Sequence, residues 1–243
     1  MNGAMSPGVA AVDRALEILG AFKESDEALT LSVLSSRTGL YKSTILRLAT
    51  SLQAGHYICR LQDGRFTLGP ELLRLGNLYH RTLRLSNFIR PAIKHLSIQC
   101  DESVSFFGFR KSDMRVCLCR VDSEHMILDH VREGDSLPLD RGSGGKVLLA
   151  FSGRRGKLFD QIRARMVFSA LGDRDCGIGG VSSPVFGPNS VLLGSLCVVG
   201  PIDRLTGNRL RQFEPIVKLT AAQLTKTLGG DPQMFRVGTP TRC

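Results

Sequence analysis

Apolar residues near the amino terminus recur at intervals of three and four residues, which predicts short helices. The first helix covers about residues 9–23, and a second covers about 33–37 with Ser32 as its N-cap. A third begins three residues after Gly39 and closes at Gly55. Two helices joined by so tight a glycine turn are typical of a helix-turn-helix.

The third of these helices presents two different faces. Its apolar stripe is made of Ile45, Leu48, Ala49 and Leu52. At about 100° per residue, Ser43, Arg47 and Thr50 point away from that stripe. An ordinary solvated helix has the same pattern, so this helix alone does not distinguish a solvent-facing surface from one that contacts nucleic acid.

A β-hairpin is predicted directly after the third helix. Two strand-like runs, 57–61 and 65–68, flank the tight-turn pair Asp63-Gly64. A helix-turn-helix followed by such a hairpin is the winged form. The hairpin carries Arg60 and Arg65, which can lie along a phosphate backbone or serve as solubilising charges on an edge hairpin.

A longer helix is predicted over 70–85, since Pro70 is well suited to a first helical turn and an apolar ridge follows it. The ridge consists of Leu72, Leu75, Tyr79 and Leu83. The helix leaves a small domain and enters a larger one, so it is interpreted as a linker whose ridge can also pair with a second chain.

From Ser86 onward the pattern changes to that of strands. After one more helix at about 87–99, β-branched and aromatic runs are separated by turns, as in antiparallel sheets. These runs are S-V-S-F-F-G-F, M-R-V-C-L-C-R-V, M-I-L-D-H-V, G-V-S-S-P-V-F and V-L-L-G-S-L-C-V-V-G. A final helix at about 206–228 precedes a segment, 230–243, that is predicted to be a disordered tail. The predicted fold class is α+β, with helices covering an antiparallel sheet.

Charge and cysteine content narrow the function classes. Thirty-two Lys and Arg against 22 Asp and Glu give a net charge of +10, and residues 37–65 hold five basic side chains and one acidic one, which fits a polyanionic partner. The seven cysteines lack C-x-x-C spacing, and Cys117 and Cys119 alternate as on one face of a strand, which favours buried thiols in a reducing cytosol. No apolar run is long enough to span a membrane and the amino terminus lacks a secretory pattern, so we expect a cytoplasmic protein. The histidines match no metal spacing, so we expect no metal or cofactor.

The run R-G-S-G-G-K at 141–146 resembles two catalytic motifs but matches neither. Asp140 and Val147 stand where a phosphate-binding P-loop needs Gly and Ser or Thr. Arg141 occupies the first glycine position of a nucleophile elbow. What remains is a turn that opens a helix, either as a glycine turn alone or with free N–H groups at Ser143 and Gly144 that accept an oxygen of a ligand.

Several stretches in a fixed order resemble one family. They are V-D-R-A-L-E-I-L (12–19), T-G-L-Y-K-S-T-I-L-R-L (38–48), R-F-T-L-G (65–69), C-D-E-S-V (100–104), P-L-D-R-G-S-G-G-K-V-L-L-A (138–150), G-V-S-S-P-V-F (180–186) and V-V-G-P-I-D-R (198–204). Over about residues 9–229 the chain is similar to bacterial transcriptional regulators of the isocitrate lyase regulator (IclR) type.

The resemblance implies a domain plan and a function. The plan is a winged helix-turn-helix at 9–69, a linker helix at 70–85 and a GAF-like effector-binding domain at 86–229. The implied function is a non-enzymatic regulator, associated with the bacterial nucleoid, that binds palindromic double-stranded operators as a homodimer or homotetramer. A small organic effector would change its affinity for DNA.

The resemblance also assigns DNA contacts. Ser43, Arg47 and Thr50 would face bases in the major groove, where arginine can pair with guanine in a bidentate manner. The other predicted contacts are to phosphates, from the helix start, the wing and the residue before the turn. These are Tyr41, Lys42, Thr44, Arg60, Arg65 and Arg37.

Effector contacts are assigned to Ser143 and Gly144 in the glycine-rich turn and, by family position, to further residues of the second domain. These are Ala170, Gly180, Cys197 and Val199, for which plain core packing is the alternative. Cys197 and Val199 stand where the family often carries two serines that hold an acidic ligand. We therefore expect a more apolar or aromatic effector. The 151–172 segment is shorter than in many members, which predicts a thin wall on one side of the domain.

Two other classes of protein compete with the regulator. An enzyme would need a catalytic constellation, yet the sequence shows no Ser/His/Asp order, paired carboxylates or metal cluster. An architectural or RNA-binding protein would show no response to a ligand, and RNA binding would call for stacking aromatic residues that the basic region mostly lacks.

Overall fold

A computed structural model describes residues 8–236 apart from Glu24, Leu83, Arg84, Ser112 and Leu128. The chain divides into two compact units, with the boundary between Arg81 and Thr82. This boundary lies four residues before the end of the linker helix predicted over 70–85.

The first unit consists of four helices and a hairpin. Its elements are α1 (Ala10–Gly20), α2 (Leu31–Thr38), α3 (Lys42–Ala54), β1 (Ile58–Arg60), β2 (Phe66–Leu68) and α4 (Pro70–Thr82). The two strands are antiparallel, and Leu29 forms a bridge to Phe66 that adds one residue pair to the hairpin. Helices α1 to α3 enclose a small core in which Ile18, Leu34 and Ile45 are fully buried.

Helix α2 begins earlier than predicted. The Thr30 hydroxyl, rather than Ser32, accepts a hydrogen bond from the backbone N–H of Val33, at 3.2 Å. Leu29 is held in an extended bridge to Phe66, so the chain can turn into the helix at the next residue, where Thr30 supplies a good N-cap. The predicted cap at Ser32 was wrong by two residues.

The second unit is a six-stranded antiparallel sheet with helices on both faces. Its strands run in the order β5-β4-β3-β8-β7-β6. The elements are α5 (Arg90–Cys100), β3 (Ser103–Lys111), β4 (Met114–Val121), β5 (Ser136–Pro138), α6 (Gly142–Phe151), α7 (Lys157–Arg165), β6 (Phe168–Leu171), β7 (Ile178–Phe186), β8 (Leu192–Pro201) and α8 (Gly207–Thr227). A π-helical turn, Leu85–Ile89, leads into α5.

Alternation along the strands separates two apolar layers. One face of the sheet packs against α5 and α8 through residues such as Phe106, Leu196 and Val198. The opposite face packs against α6 through Phe107 and Val199. The second of these layers forms the base of the cavity described below.

The strands differ from the predicted pattern in two ways. The described residues of 126–131 form no strand, because Asp129 turns inward to the guanidinium groups of Arg120 and Arg174 while Met126 is fully exposed. Side-chain ion pairs therefore hold this segment instead of a backbone ladder. The short edge strands β5 and β6 were not predicted.

Cys117 and Cys119 lie on opposite faces of the sheet, which corrects the prediction of a shared face. Phe106 pairs with Cys119 and Phe107 with Cys117, so Leu118 is an extra residue on β4. Such a bulge reverses the alternation of side chains at that point. Cys117 consequently packs on the α6 side and Cys119 on the α5 side.

The segment after α8 is ordered as far as it is described, which corrects the predicted tail over residues 230–236. Pro232–Phe235 forms a 3₁₀ turn capped by Asp231. Phe235 is buried and meets the Phe186 ring edge-on, with centroids 6.2 Å apart. This aromatic contact anchors the segment, and residues 237–243 of the predicted tail lie outside the described residues.

Candidate DNA-binding helix and ligand cavity

Side-chain hydrogen bonds fix the turn between α2 and α3. Gly39 adopts a left-handed conformation with φ of 71°, which glycine tolerates without steric cost. The Ser35 hydroxyl donates to the Leu40 carbonyl at 2.7 Å. The Thr38 hydroxyl donates to the Leu34 carbonyl, also at 2.7 Å, and accepts from the Leu40 N–H. The orientation of α3 relative to α2 is therefore set by local chemistry.

Helix α3 buries one face and exposes the other, as its pattern predicted. Ile45, Ala49 and Leu52 are buried in the core of the first unit, and Leu48 is partly buried. The structure places Lys42, Ser43, Arg47 and Thr50 on the exposed side, with Thr44 partly buried. The Thr50 hydroxyl donates to the Leu46 carbonyl at 3.1 Å, which leaves its oxygen as an acceptor toward solvent.

The start of α3 is open to an anion. Tyr41 is the N-cap residue, its side chain forms no capping hydrogen bond, and 83% of its surface is exposed. Neither Lys42 nor Arg47 pairs with a carboxylate anywhere in the described part of the chain. Both charges and the first-turn N–H groups are thus available to phosphate or to base edges.

Arg37 is held inside the first unit. Its guanidinium binds both carboxylate oxygens of Asp26, one of them at 3.0 Å, and donates to the Ala21 carbonyl at 2.9 Å. The hydrogen bond from Arg37 holds the pKa of Asp26 below its ordinary value. Arg37 therefore braces α2 against the segment after α1, and a contact to the DNA backbone would have to share or displace these partners.

The two arginines of the hairpin are exposed and locally supported. Arg65 donates from Nε to an oxygen of Asp63 at 2.6 Å, and the backbone N–H of Arg65 donates to the other oxygen at 3.0 Å. These bonds hold the pKa of Asp63 below its usual range. The Arg60 guanidinium lies 5.6 Å from the centre of the Phe66 ring. The Arg65 charge is therefore partly neutralised, whereas Arg60 is free of a carboxylate within the described residues.

In the second unit, all six residues predicted for the effector line a single cavity beside the amino-terminal end of α6. They are Ser143, Gly144, Ala170, Gly180, Cys197 and Val199. The cavity is open on one side, and its empty volume including that opening is about 360 Å³. Its enclosed part is narrow, so a ligand larger than one or two waters needs side chains to move.

Hydroxyl and thiol groups meet at the inner end of this cavity. The Ser143 hydroxyl lies 2.8 Å from the Ser182 hydroxyl and 3.7 Å from the Cys197 sulfur. A Cβ atom on Gly180 would come within 3.1 Å of the Ser143 oxygen. Glycine at this position therefore keeps the space in front of Ser143 open.

The glycine-rich run lets α6 approach its neighbours closely. A Cβ on Gly145 would lie 2.1 Å from the Arg115 guanidinium and 2.3 Å from the Leu139 carbonyl oxygen. The N–H of Gly142 donates to Asp173 at 2.6 Å, and the same carboxylate accepts from the Lys146 ammonium at 2.5 Å. Close packing explains why residue 145 is a glycine, whereas Ser143 and Gly144 line the cavity wall.

Sequence reasoning missed several lining residues. Phe107, Arg115, Asp173, Arg174 and Ile178 also border the cavity. The sequence does show Arg115 as a charged residue within the apolar strand M-R-V-C-L-C-R-V. An arginine at an exposed strand edge would give the same pattern. The structure instead leaves 2% of its surface exposed, and burial lowers the pKa of Arg115 to about 10.

Among the described residues, no group of three or more His, Cys, Asp or Glu side chains is placed to hold a metal ion. Within the same part of the chain, no helix is both long and apolar enough to cross a bilayer.

Comparisons with known proteins agree with this architecture. Residues 11–60 match the IclR helix-turn-helix domain. The transcriptional repressor IclR of Escherichia coli is 22% identical, with 91% of each chain covered. An IclR transcriptional regulator from Alicyclobacillus acidocaldarius has the same fold, with a TM-score of 0.77 at 17% identity over 92% of this chain and all of that chain.

A third relative carries a ligand. It is an IclR homolog from Microbacterium hydrocarbonoxydans, whose structure in complex with 4-hydroxybenzoate has a TM-score of 0.71 at 17% identity, over 90% of this chain and 99% of that one. The predicted α+β fold class and the predicted family are confirmed. Residues 11–60 belong to the IclR helix-turn-helix domain family, and over 91% of its length the chain is similar to a transcriptional repressor of the IclR type.

Proposed function

We propose that the protein is a ligand-responsive regulator that binds an operator as an oligomer and changes its affinity for DNA when a small organic effector enters the α6 cavity. The observation that carries this proposal is the convergence of six residues, assigned from the sequence alone, on one cavity next to a helix start. Concave sites with an apolar lining and a few polar groups are typical of small-molecule binding.

The exposed face of α3 supports the DNA-binding half of the proposal in detail. Arg47 and Thr50 project from the middle of the helix, while Lys42 lies in its first turn beside the uncapped N–H groups. A recognition helix in the major groove contacts base edges with such mid-face residues and phosphates with its amino-terminal end. The arginines of the hairpin would contact phosphates beside the groove.

The cavity lining supports a small effector with an apolar body. Phe107, Ile178 and Val199 provide apolar surface, and Ser143 provides a buried hydroxyl. The Microbacterium homolog binds 4-hydroxybenzoate, a small aromatic compound, which supports an effector of comparable size here.

Exposed apolar side chains on two helices of the first unit support self-association. On α1 they include Val12 and Leu16, which are 54% and 59% exposed. On α4 they include Leu73 and Tyr79, at 69% and 47%. Exposed apolar side chains of this size are typical of protein–protein contacts, and a dimer formed through them would carry two copies of α3, as a palindromic operator requires.

The proposed mechanism is linkage between two equilibria. An effector that binds one arrangement of the oligomer more tightly shifts the population toward that arrangement, and with it the spacing of the two recognition helices. A compound with equal affinity for both arrangements would change nothing. Repression and activation are both compatible with this mechanism.

The test starts by selecting operator fragments from sheared genomic DNA with the purified full chain. The selected duplex is then titrated with protein by fluorescence anisotropy, with and without a panel of small aromatic and aliphatic compounds. We expect sequence-specific binding that at least one compound changes by roughly 5- to 150-fold, the usual range of allosteric coupling.

Two controls separate the rival classes of protein. The compound is recovered unchanged after incubation if the protein is a regulator, whereas turnover would favour an enzyme. Gly180→Leu, which fills the cavity in front of Ser143, should abolish the response to the compound without weakening DNA binding in its absence. Sequence-specific binding that no compound changes would favour an architectural protein and contradict the proposal.

A further inference from the structure

The cavity contains a buried positive charge that has no carboxylate partner within the described residues. Arg115 leaves 2% of its surface exposed, and among the residues that the structure describes no carboxylate forms an ion pair with it. Its guanidinium lies 5.0 Å from the centre of the Phe107 ring and next to Gly142, and both of these residues line the cavity.

The hydrogen bonds that Arg115 forms use part of the donor capacity of its guanidinium group. One terminal nitrogen donates to the Pro138 carbonyl at 3.0 Å and to the Arg141 carbonyl at 2.7 Å. The Nε atom is buried and has no hydrogen-bond partner in the described part of the chain. These bonds brace the turn before α6, but two neutral carbonyl oxygens do not balance a buried cation.

The nearby carboxylates are already engaged by other groups. Asp173 accepts from the Lys146 ammonium and from the Gly142 N–H, at 2.5 and 2.6 Å. Asp129 accepts from Arg174 at 2.9 Å and also from Arg120. The charged residues that line the cavity are thus two arginines and one aspartate, with Arg115 left over.

Burial lowers the pKa of Arg115 to about 10, so the side chain remains protonated at neutral pH. Proteins place a buried cation beside an anion in nearly all cases, because the cost of desolvation is otherwise not recovered. The start of α6 adds partial positive charge on the same side of the cavity, at the N–H groups of Ser143 and Gly144.

We infer that Arg115 is the specificity-determining residue for an effector that is a small organic monocarboxylate with an apolar or aromatic body. This rests on the proposed function, since it assumes that the effector occupies the α6 cavity. The carboxylate pairs with the guanidinium and accepts from the N–H groups that open α6, while the body lies against Phe107, Ile178 and Val199. One negative charge matches the single unpaired cation, whereas a phosphate dianion would introduce a surplus charge.

The effector is thus expected to carry an acid group in addition to the predicted apolar or aromatic body. Cys197 and Val199 present a thiol and an apolar side chain to the cavity from β8. Arg115 on β4 supplies a charged donor on a different strand of the same sheet. The acid group is therefore expected to be held from another side of the cavity, with the apolar body over β8.

The first experiment compares matched pairs of probes on the wild-type full chain by isothermal titration calorimetry. The probes are benzoate with benzamide, isobutyrate with isobutyramide, and inorganic phosphate. At least one carboxylate should bind about 10- to 100-fold more tightly than its neutral amide, the range expected for a charge-assisted hydrogen bond, and more tightly than phosphate. Because it uses no variant, this comparison does not depend on the folding of a mutant.

The second experiment uses Arg115→Gln and Arg115→Lys, with Arg141→Gln as the matched control on an exposed neighbouring arginine that does not line the cavity. Arg115→Gln should lose the preference for carboxylate over amide, Arg115→Lys should keep part of it, and Arg141→Gln should keep all of it. Circular dichroism checks that each variant is folded.

Three results would overturn the inference: amides that bind the wild type as tightly as carboxylates, a folded Arg115→Gln that keeps the preference, or a wild type that binds neither carboxylate. The role of Arg115 and the proposed function can be contradicted separately. If neutral compounds alone change DNA affinity, the regulator stands and the role of Arg115 is wrong. If carboxylates bind through Arg115 but DNA affinity does not respond, the site stands and the ligand-responsive function is wrong.

Discussion

Lys42 and Arg47, which have no carboxylate partner in the described part of the chain, are expected to contact different parts of the DNA. Lys42 lies in the first turn, next to N–H groups without a side-chain cap, where a phosphate oxygen is the natural partner. Arg47 lies more than one turn further along the exposed face, where a guanidinium can reach base edges. Removing the positive charge at each of these two positions should therefore change the affinity for DNA in a different way.

Arg47→Ala should weaken binding to the selected operator by about 1–3 kcal/mol and relax the preference at one base position. The reason is that a bidentate arginine–guanine pair contributes to one sequence position and not to others. Anisotropy titrations against operators substituted one base pair at a time measure both effects. Equal weakening on every sequence would instead identify Arg47 as a phosphate contact.

Lys42→Ala is the matched counterpart on the same helix. It should weaken binding by a similar amount on every sequence and reduce the slope of log K against log salt by about one, because one phosphate contact and its released counterion are lost. Titrations at several salt concentrations measure that slope. An unchanged slope would argue against a phosphate contact at Lys42.

Cysteine reactivity should separate exposed from buried thiols. Burial raises the pKa of Cys100 and of Cys117 from 9.0 to about 12, which lowers the thiolate fraction at pH 8 by roughly a thousandfold. Cys176 is exposed. Iodoacetamide at pH 8 should therefore modify Cys176 within minutes and leave Cys100 and Cys117 unmodified until urea is added, as peptide mass spectrometry can measure. Early modification of Cys117 would contradict the packing of β4.

The ion pair between Asp26 and Arg37 should make stability depend on pH. The hydrogen bond from Arg37 lowers the folded-state pKa of Asp26 below 3.8, so the pair stabilises the fold above the unfolded-state pKa and loses that effect as pH falls through the folded one. Asp26→Asn should therefore lower the thermal midpoint at pH 7, and the difference from wild type should shrink below about pH 4.

Glu17→Gln, on the exposed surface of α1, is the control for that comparison. It should leave the midpoint nearly unchanged across the same pH range, because Glu17 has no ion-pair partner among the described residues. A difference between Asp26→Asn and wild type that persists at low pH would show that Asp26 acts through something other than its charge.

At the scale of elements, the helix-turn-helix depends on one backbone conformation. Gly39 has φ of 71°, and nothing lies within 4 Å of the position its Cβ would take. Gly39→Ala should therefore destabilise the fold through backbone strain alone, by about 1–2 kcal/mol in urea denaturation. Gly20→Ala is the control, since that position also has free space but no positive φ, and it should be neutral or stabilising by up to about 1 kcal/mol. Equal effects would contradict the turn geometry.

Elements with strong periodicity or clear end signals were predictable from the sequence. Helices α3 and α8 have both, and the Asp63-Gly64 turn fixed the hairpin within about one residue at each end. The short edge strands β5 and β6 have three and four residues, too few for an alternation to stand out. The segment 126–131 looked like a strand because its apolar residues alternate, but the ion pairs of Asp129 decided its conformation.

The lining of the cavity was predictable from the sequence in part. Its six predicted residues came from motif positions, which define a shared place in the fold. Arg115 and Asp173 were missed because their relation to α6 depends on the pairing of β4 with β5 and on the loop before β7, which are long-range contacts. The bulge at Leu118, which decides the faces of Cys117 and Cys119, is likewise not visible in the sequence of one strand.

Effector binding and DNA binding are proposed to be coupled through one conformational equilibrium of the protein. Thermodynamic linkage then requires reciprocity: if a compound changes DNA affinity by some factor, saturating operator DNA must change the affinity for that compound by the same factor. The relation holds for any structural pathway between the two units, so it tests the coupling without assuming a route.

We therefore expect two independent measurements to agree. Anisotropy gives the factor by which a saturating compound changes the operator affinity, and calorimetry gives the affinity for the compound with and without a saturating operator duplex. A scrambled duplex of equal length is the control, and it should change the affinity for the compound much less, because non-specific binding gains little from the spacing of the recognition helices. If the compound changes operator affinity while the operator leaves the affinity for the compound unaltered, the two sites are not coupled in one species. The effect would then have to come from a process outside the linkage, such as aggregation of the protein.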